Sequence, residues 1–140
     1  HRDLHSFPTR RSSDLYDVPD CESTWNGLAN TTAIVNSGCL ATDAAGLCDN
    51  YSYDGFDDWY LPSFSELNIL WNNLFNVNKA LSSEPIFGQE LRLARYWSST
   101  EGTPDHAWVM TFTSGGDPYD QLHSGTSKSS NFAVRAVRSF

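Results

Sequence analysis

Asp58-Trp59-Tyr60-Leu61-Pro62-Ser63-Phe64-Ser65-Glu66-Leu67 is the stretch of sequence that decides how this chain folds. Ser63 and Glu66 form a capping box, in which the hydroxyl and the carboxylate each bind a backbone N–H at the start of a helix. Pro62 keeps the residue before it extended, so the helix begins after the proline. Apolar side chains then recur at helical spacing, at Leu67, Leu70, Trp71 and Leu74. The pattern predicts a helix over residues 64–76 with one buried stripe.

Two earlier segments are also predicted to be helical. One begins at Asn30, which is a suitable N-cap residue, and ends at Gly38. The other covers residues 40–48, where apolar residues recur at helical spacing. Residues 49–58 form a polar loop, and a short helical turn is expected within residues 89–95.

The C-terminal half has strand patterns at residues 96–99, 106–113 and 132–140. In the second of these, Trp108, Met110 and Phe112 share one face, and the residues between them share the other. Helices precede an antiparallel meander in this order. We therefore expect an α+β fold with the helices on one side of an antiparallel sheet.

Residues 1–15 match, codon by codon, the translation of the end of a common short-read sequencing adapter. A match over fifteen consecutive residues indicates a processing scar, so we exclude the segment from the fold. Residues 16–140 then form a single domain, and the native N-terminus is expected to be missing. The hydrophobic content of 39% is enough for one compact core.

The chain is strongly acidic. Without the three arginines and two aspartates of residues 1–15, six basic and fifteen acidic residues remain, a net charge of −9. Nucleic-acid partners are not expected, because phosphate contacts need clustered Lys and Arg. Membrane insertion is not expected either, since no run approaches the roughly 18 apolar residues that a spanning helix needs.

Cofactor and metal sites are not indicated by the sequence. The cysteines, Cys21, Cys39 and Cys48, include no Cys-x-x-Cys pair of the kind that binds zinc. They allow one disulfide, Cys39–Cys48 or Cys21–Cys48, or buried free thiols. An EF-hand frame with Gly55 at its sixth position ends on Leu61 instead of a bidentate glutamate, so it fails.

The order of the motifs resembles the Lcl C-terminal domain family. The resemblance is carried by Asn30-Thr31 with Ile34-Val35, by Asp58–Ser63 with Glu66-Leu67, by Tyr96–Glu101, by Ala107-Trp108 and by Val134–Arg138. It implies a C-type-lectin-like fold, two main helices beside an antiparallel sheet with long loops, in surface or secreted bacterial and phage proteins. The founding adhesin of the family binds sulfated glycosaminoglycans and forms trimers, so a homotrimer is one expected assembly.

The family motifs are interpreted as scaffold. Arginines in an apolar strand need carboxylate or carbonyl partners, and Glu66 or Glu101 is expected to supply one. Asp58 is expected to bind an indole N–H or to cap a turn. The structural signature residues are Trp59, Pro62, Ser63, Glu66, Trp97, Arg135 and Arg138.

Ligand binding is expected on the loops that this scaffold positions, residues 100–106 and 117–131. These loops hold one lysine against four acidic residues, so a sulfated ligand is not expected, and a neutral glycan, a protein or a cation-assisted ligand fits better. The candidate ligand-binding residues are Thr103, Asp105, His106, Asp117, Tyr119, Asp120, Gln121, His123 and Lys128.

Two other classes of function remain open at this point. A hydrolase with a Ser/His/Asp triad would have to use His106 or His123, and neither lies in a nucleophile motif such as Gly-x-Ser-x-Gly. A glycoside hydrolase would need paired carboxylates, for which Asp117 with Asp120 or Asp57 with Asp58 are candidates. A structural head domain of a fibre would act through oligomerisation. The leading prediction is a non-enzymatic recognition domain, secreted or at the cell surface, that binds a glycan or protein.

Overall fold

The computed structural model describes residues 4–6, 18–83, 90–112 and 126–139. Within these residues the helices are α1 (Gly27–Asn36), α2 (Ala44–Asp49), α3 (Phe64–Asn72) and α4 (Leu74–Ser82). The strands are β1 (Leu4–Ser6), β2 (Arg95–Thr103), β3 (His106–Thr111), β4 (Thr126–Ser127) and β5 (Asn131–Ala133). They form one sheet in the order β1-β5-β2-β3-β4, so the α+β class is confirmed.

Strands β2 and β3 form the centre of the sheet, and both of their faces are buried. Trp97 lies opposite Val109, and Tyr96 lies opposite Met110. Because successive side chains of a strand point to opposite faces, the first pair joins one apolar cluster and the second joins another. Phe112 packs with Met110, as the predicted alternation of this strand requires.

Helices cover both faces of the sheet. Ile34 of α1 and Cys48 of α2 pack in the cluster that contains Trp97. Phe64 and Leu67 of α3 pack in the other cluster. The prediction that all helices lie on one side is therefore wrong, because both faces of β2 are apolar and each needs a cover.

The sheet is mixed, whereas a wholly antiparallel sheet was predicted. Strand β5 runs parallel to β2, with Ala133 opposite Tyr96. It is shorter than the predicted strand over 132–140, because the chain leaves the sheet after Ala133. Pairing resumes at Val137, which exchanges two backbone hydrogen bonds of 2.8 and 3.0 Å with Tyr60.

Strand β1 lies at the edge of the sheet beside β5. Leu4 is opposite Ala133, and Ser6 is opposite Asn131. These residues belong to the segment that matches the sequencing adapter. The pairing covers three residues, and the assignment of residues 1–15 as foreign stays a prediction.

Helix α1 begins before the position that the sequence predicted. Asn26 caps it by accepting a hydrogen bond of 3.0 Å from the N–H of Ala29. Asn30 is a buried residue inside the helix, where its amide donates to the carbonyl of Ser23 at 2.6 Å. The prediction of Asn30 as the N-cap is wrong, because a tertiary contact uses its side chain.

The remaining helix boundaries are partly as predicted. The capping box of Ser63 and Glu66 is confirmed, but α3 ends at Asn72 because Asn73 departs from helical geometry, and α4 follows it. Helix α2 is shorter than predicted, and residues 90–94 form no helical turn. None of the helices described is long and apolar enough to cross a membrane.

The cysteines are free thiols in this structure. Cys21 and Cys48 are buried, and Cys39 is half-buried. Burial is the main reason that the pKa of the Cys21 and Cys48 thiols lies well above the usual range. Of the two alternatives left by the sequence, buried free thiols describe Cys21 and Cys48.

Candidate functional site

The candidate ligand-binding residues are only partly within the described chain. Thr103, Asp105, His106 and Lys128 are described. The other five lie outside the described residues: Asp117, Tyr119, Asp120, Gln121 and His123. The described part of the candidate site consists of the turn between β2 and β3 and the segment that contains β4.

The β2–β3 turn presents three polar side chains that contact one another. Thr103 donates a hydrogen bond of 2.8 Å from its hydroxyl to Oδ1 of Asp105. Nδ1 of His106 lies 2.8 Å from the same oxygen and 3.3 Å from the Thr103 hydroxyl. The hydrogen bonds from His106 and then from Thr103 lower the pKa of the Asp105 carboxyl below its usual range. The turn thus carries a charged, exposed carboxylate next to an imidazole.

Lys128 lies inside the protein and not on the binding face. Its side chain is 0% exposed, and Nζ forms an ion pair with Glu101, whose side chain is 1% exposed. Nζ also donates to the carbonyl of Pro104 at 2.8 Å, and the backbone N–H of Lys128 donates to the carbonyl of Asp105 at 3.0 Å. Lys128 therefore fastens the segment after β4 to the turn that carries Asp105.

Glu101 connects this arrangement to the start of the described domain. The N–H of Val18 lies 3.2 Å from both of its carboxylate oxygens. The thiol of Cys21 donates to Oε2 of Glu101 at 3.5 Å, and the Glu101 N–H donates to the carbonyl of Cys21 at 2.9 Å. One buried carboxylate thus links residues 18–21, the end of β2 and Lys128.

Pairing between β3 and β4 completes the support of the turn. His106 lies opposite Ser127, and Ala107 lies opposite Thr126. Gly102 allows the hairpin to close, because a Cβ at this position would lie 2.8 Å from the indole nitrogen of Trp108. The side chains of Thr103, Asp105 and His106, here called the trio, therefore lie on a turn with two supports. One is the backbone pairing of β3 with β4, and the other is the buried pair of Lys128 and Glu101.

The trio does not have the geometry of a catalytic triad. In a triad the two nitrogens of the histidine face different partners, the acid and the nucleophile. Here the same nitrogen of His106 faces both Asp105 and Thr103. Within the described part of the chain there is no group of three His, Cys, Asp or Glu side chains that could hold a metal ion.

The structural signature residues at the start of α3 lie where scaffold residues are expected. Pro62 and Ser63 are buried, and Ser63 shares the capping box with Glu66. Trp97 is completely buried and packs edge-on against Phe132, with ring centroids 5.0 Å apart. Half-buried Trp59 donates its indole N–H to the carbonyl of Phe56 at 3.1 Å, so Asp58 is not the acceptor.

The arginines of the C-terminal motif differ in their surroundings. Arg138 makes a bidentate ion pair with Asp58, with nitrogen–oxygen distances of 2.7 and 2.9 Å. The prediction that Glu66 or Glu101 pairs with this arginine is therefore wrong. Glu66 binds donors at the start of α3, and Glu101 pairs with Lys128. Arg135 is half-buried, and burial lowers the pKa of its guanidinium.

A comparison with family models identifies the chain. The model of the Lcl C-terminal domain matches residues 19–138. The chain belongs to this family, whose members are adhesin-type domains. Comparisons with curated proteins and with solved structures give no match.

Proposed function

We propose that this Lcl C-terminal domain is a non-enzymatic recognition domain of a bacterial or phage protein, secreted or displayed at the cell surface. It binds a glycan or protein ligand through the β2–β3 turn and the loop of residues 117–131. Membership of an adhesin-type family supports binding over catalysis. The arrangement of Thr103, Asp105 and His106 supports it too, since it lacks a triad's geometry.

The observation that carries this proposal is the buried ion pair between Lys128 and Glu101. Lys128 holds the turn that carries Asp105 and His106, because its Nζ donates to the carbonyl of Pro104 and its backbone N–H donates to the carbonyl of Asp105. Binding residues on loops are effective when a rigid scaffold positions them, because less entropy is lost when the ligand binds.

The charges of the turn indicate which ligands are suitable. Asp105 is exposed and its carboxyl has a lowered pKa, so it is ionised at neutral pH. The lysine of the segment, Lys128, is buried with Glu101 and gives no exposed positive charge. A neutral glycan, a protein or a ligand bound with the help of a cation therefore fits better than a sulfated glycan or a nucleic acid.

The test is a glycan array probed with the whole chain, with and without calcium. Asp105→Asn and His106→Ala should weaken binding, whereas Asp49→Asn, an exposed aspartate at the end of α2, should leave it unchanged. Tyr119→Ala and Asp120→Ala extend the test to the rest of the predicted face. Binding that none of these four substitutions weakens would refute this location of the site.

The proposal also includes a C-type-lectin-like fold and a homotrimer. Sedimentation equilibrium gives the mass of the assembly directly, and a monomer at every concentration would exclude the trimer. A stable trimer that binds no glycan or protein would instead support the role of a structural head domain of a fibre.

A further inference from the structure

Loop 51–59 carries three aromatic side chains at the surface, at a distance in sequence from the proposed site. Tyr51 and Phe56 are each 44% exposed, and Trp59 is half-buried. We call these three residues the aromatic shelf. Exposed aromatic groups that lie together on a soluble domain mark an interaction surface more often than isolated ones do.

A tight two-residue turn sets the position of the shelf. Tyr53 and Phe56 exchange two backbone hydrogen bonds of 2.9 and 3.0 Å. Between them, Asp54 has φ of 52° and Gly55 has φ of 80°, as a type I′ turn requires. A left-handed aspartate costs energy, so surrounding contacts must compensate for it.

Arg138, close to the C-terminal end of the sequence, contacts the residues that follow this turn. Its guanidinium carbon lies 3.7 Å from the centroid of the Phe56 ring, and its nitrogens bind both oxygens of Asp58. The hydrogen bond from Arg138 lowers the pKa of the Asp58 carboxyl, so the pair is charged at neutral pH. The ring of Phe56 is thus fixed while nearly half of its surface remains exposed.

The other two rings are held in a similar way. Trp59 donates its indole N–H to the carbonyl of Phe56. Tyr51 packs edge-on against Trp59, with ring centroids 5.2 Å apart and an angle of 73° between their planes. The shelf is therefore preorganised, and a ligand that stacks on it does not have to order these side chains.

The charges around the shelf select a class of partner. The charge of Arg138 is matched by Asp58, and the carboxylates of Asp54 and Asp57 are exposed beside them. An anionic polysaccharide or phospholipid is repelled by such a surface. A neutral sugar has an apolar C–H face that is attracted to the negative face of an aromatic ring, and its hydroxyls can donate to the carboxylates.

We propose that the aromatic shelf, clamped by Arg138, is a second binding surface, and that it recognises a neutral saccharide. It shares no residue with the β2–β3 turn, so in this proposal the domain contacts a glycan-covered surface through two sets of residues. Two weak contacts on one rigid domain strengthen attachment to a repetitive ligand through their effective concentration.

The experiment uses the whole chain on an array of neutral, sialylated and sulfated glycans. A decalysine peptide is added as a cationic probe, because it tests whether the exposed carboxylates alone select the ligand. Phe56→Leu keeps an apolar side chain under Arg138 but removes the aromatic face. It should weaken binding to the neutral glycans about tenfold, and Tyr51→Ala should do the same. Phe75→Ala, which changes a phenylalanine of α4 that is 78% exposed, should leave binding unchanged.

The result also separates this surface from the proposed site. Loss of binding in the Phe56 and Tyr51 variants but not in Asp105→Asn would support the shelf alone, and the reverse pattern would overturn it. Absence of neutral-glycan binding by the unmodified chain, or a preference for decalysine, would also overturn it. Circular dichroism shows whether each variant is folded before it is compared.

Discussion

Lys128 and Glu101 place two opposite charges where water does not reach them. A charge in this environment is tolerated only when it is paired and hydrogen-bonded. Lys128 has the Pro104 carbonyl as a further acceptor, and Glu101 has the Val18 N–H as a further donor. Removal of one member leaves the charge of the other without compensation.

Lys128→Met should therefore lower the free energy of unfolding by about 3–5 kcal/mol. The methionine fills much of the same space, so the loss reflects the uncompensated Glu101 carboxylate. Urea denaturation followed by tryptophan fluorescence measures it. Lys79→Met, a change at an exposed lysine of α4, should alter stability by less than about 0.5 kcal/mol.

A double variant shows that charge, and not packing, causes the loss. Glu101→Gln combined with Lys128→Met keeps an oxygen for the Val18 N–H but leaves no buried charge. It should be more stable than Lys128→Met alone. A loss for Lys128→Met no larger than that for Lys79→Met would contradict this account of the pair.

The sequence indicates what kind of partner a residue needs, but not which residue that partner is. An arginine in an apolar strand was expected to pair with a carboxylate, and Arg138 does so, but with Asp58, which is 80 residues away. Lys128 was expected to face a ligand because it lies in a polar loop. Its burial beside Glu101 depends on how two loops pack, and no local pattern contains that information.

At the scale of elements, the N-terminus of α3 is the point where several segments meet. Oε2 of Glu66 accepts from the N–H of Ser63 at 2.7 Å, which completes the capping box, and from the N–H of Gly27 at 3.1 Å. Oε1 accepts from the Tyr60 hydroxyl at 3.0 Å. The same carboxylate therefore caps α3 and fixes the first residue of α1 against it.

Glu66→Ala should lower the free energy of unfolding by roughly 2–4 kcal/mol, because three donors lose their acceptor. Glu66→Gln should cost less, since the amide oxygen still accepts one or two of these bonds. Thermal unfolding compares both with Glu90→Ala, a change at an exposed glutamate. Equal losses in Glu66→Ala and Glu90→Ala would show that the carboxylate does not join the two helices.

The elements that the sequence predicted correctly are those specified by nearby residues. The cap of α3 and the alternation along β3 depend on neighbours within a few positions, and both are observed. The start of α1 depends on which of two suitable asparagines is needed for a tertiary contact. The parallel pairing of β5 with β2, and the packing of helices on both faces of the sheet, depend on contacts between residues far apart in the sequence.

At the scale of the whole molecule, buried tyrosine and cysteine side chains make the free energy of unfolding depend on pH in the alkaline range. Burial, and then the Glu66 carboxylate, raises the pKa of Tyr60 to about 12. Burial also raises the pKa of the Cys21 and Cys48 thiols. In the unfolded chain these groups ionise near their ordinary values, about 8.5 for cysteine and about 10 for tyrosine.

The free energy of unfolding should consequently fall as the pH rises from about 9 to about 12. In this range the unfolded chain binds fewer protons than the folded chain, so the slope with pH is negative. Urea denaturation at several pH values measures it. Tyr60→Phe should flatten the curve between about pH 10 and 12. Parallel curves for the Tyr60 variant and the parent would contradict the role of Tyr60.

The adapter match makes a prediction about the whole domain that the fold can test: residues 1–15 should be dispensable. Their described contribution is β1, which pairs three residues with β5 at the sheet edge. Among the described side chains, those between Val18 and Ala136 build both apolar clusters.

Deletion of residues 1–15 should leave one cooperative thermal transition, with the Tm lowered by no more than about 5 °C. The deletion also exposes the outer edge of β5, and an unpaired edge favours association between chains. Light scattering should accordingly rise with concentration more steeply for the shortened chain than for the parent. Loss of the cooperative transition would mean that β1 is an integral strand and that the assignment from the adapter match is wrong.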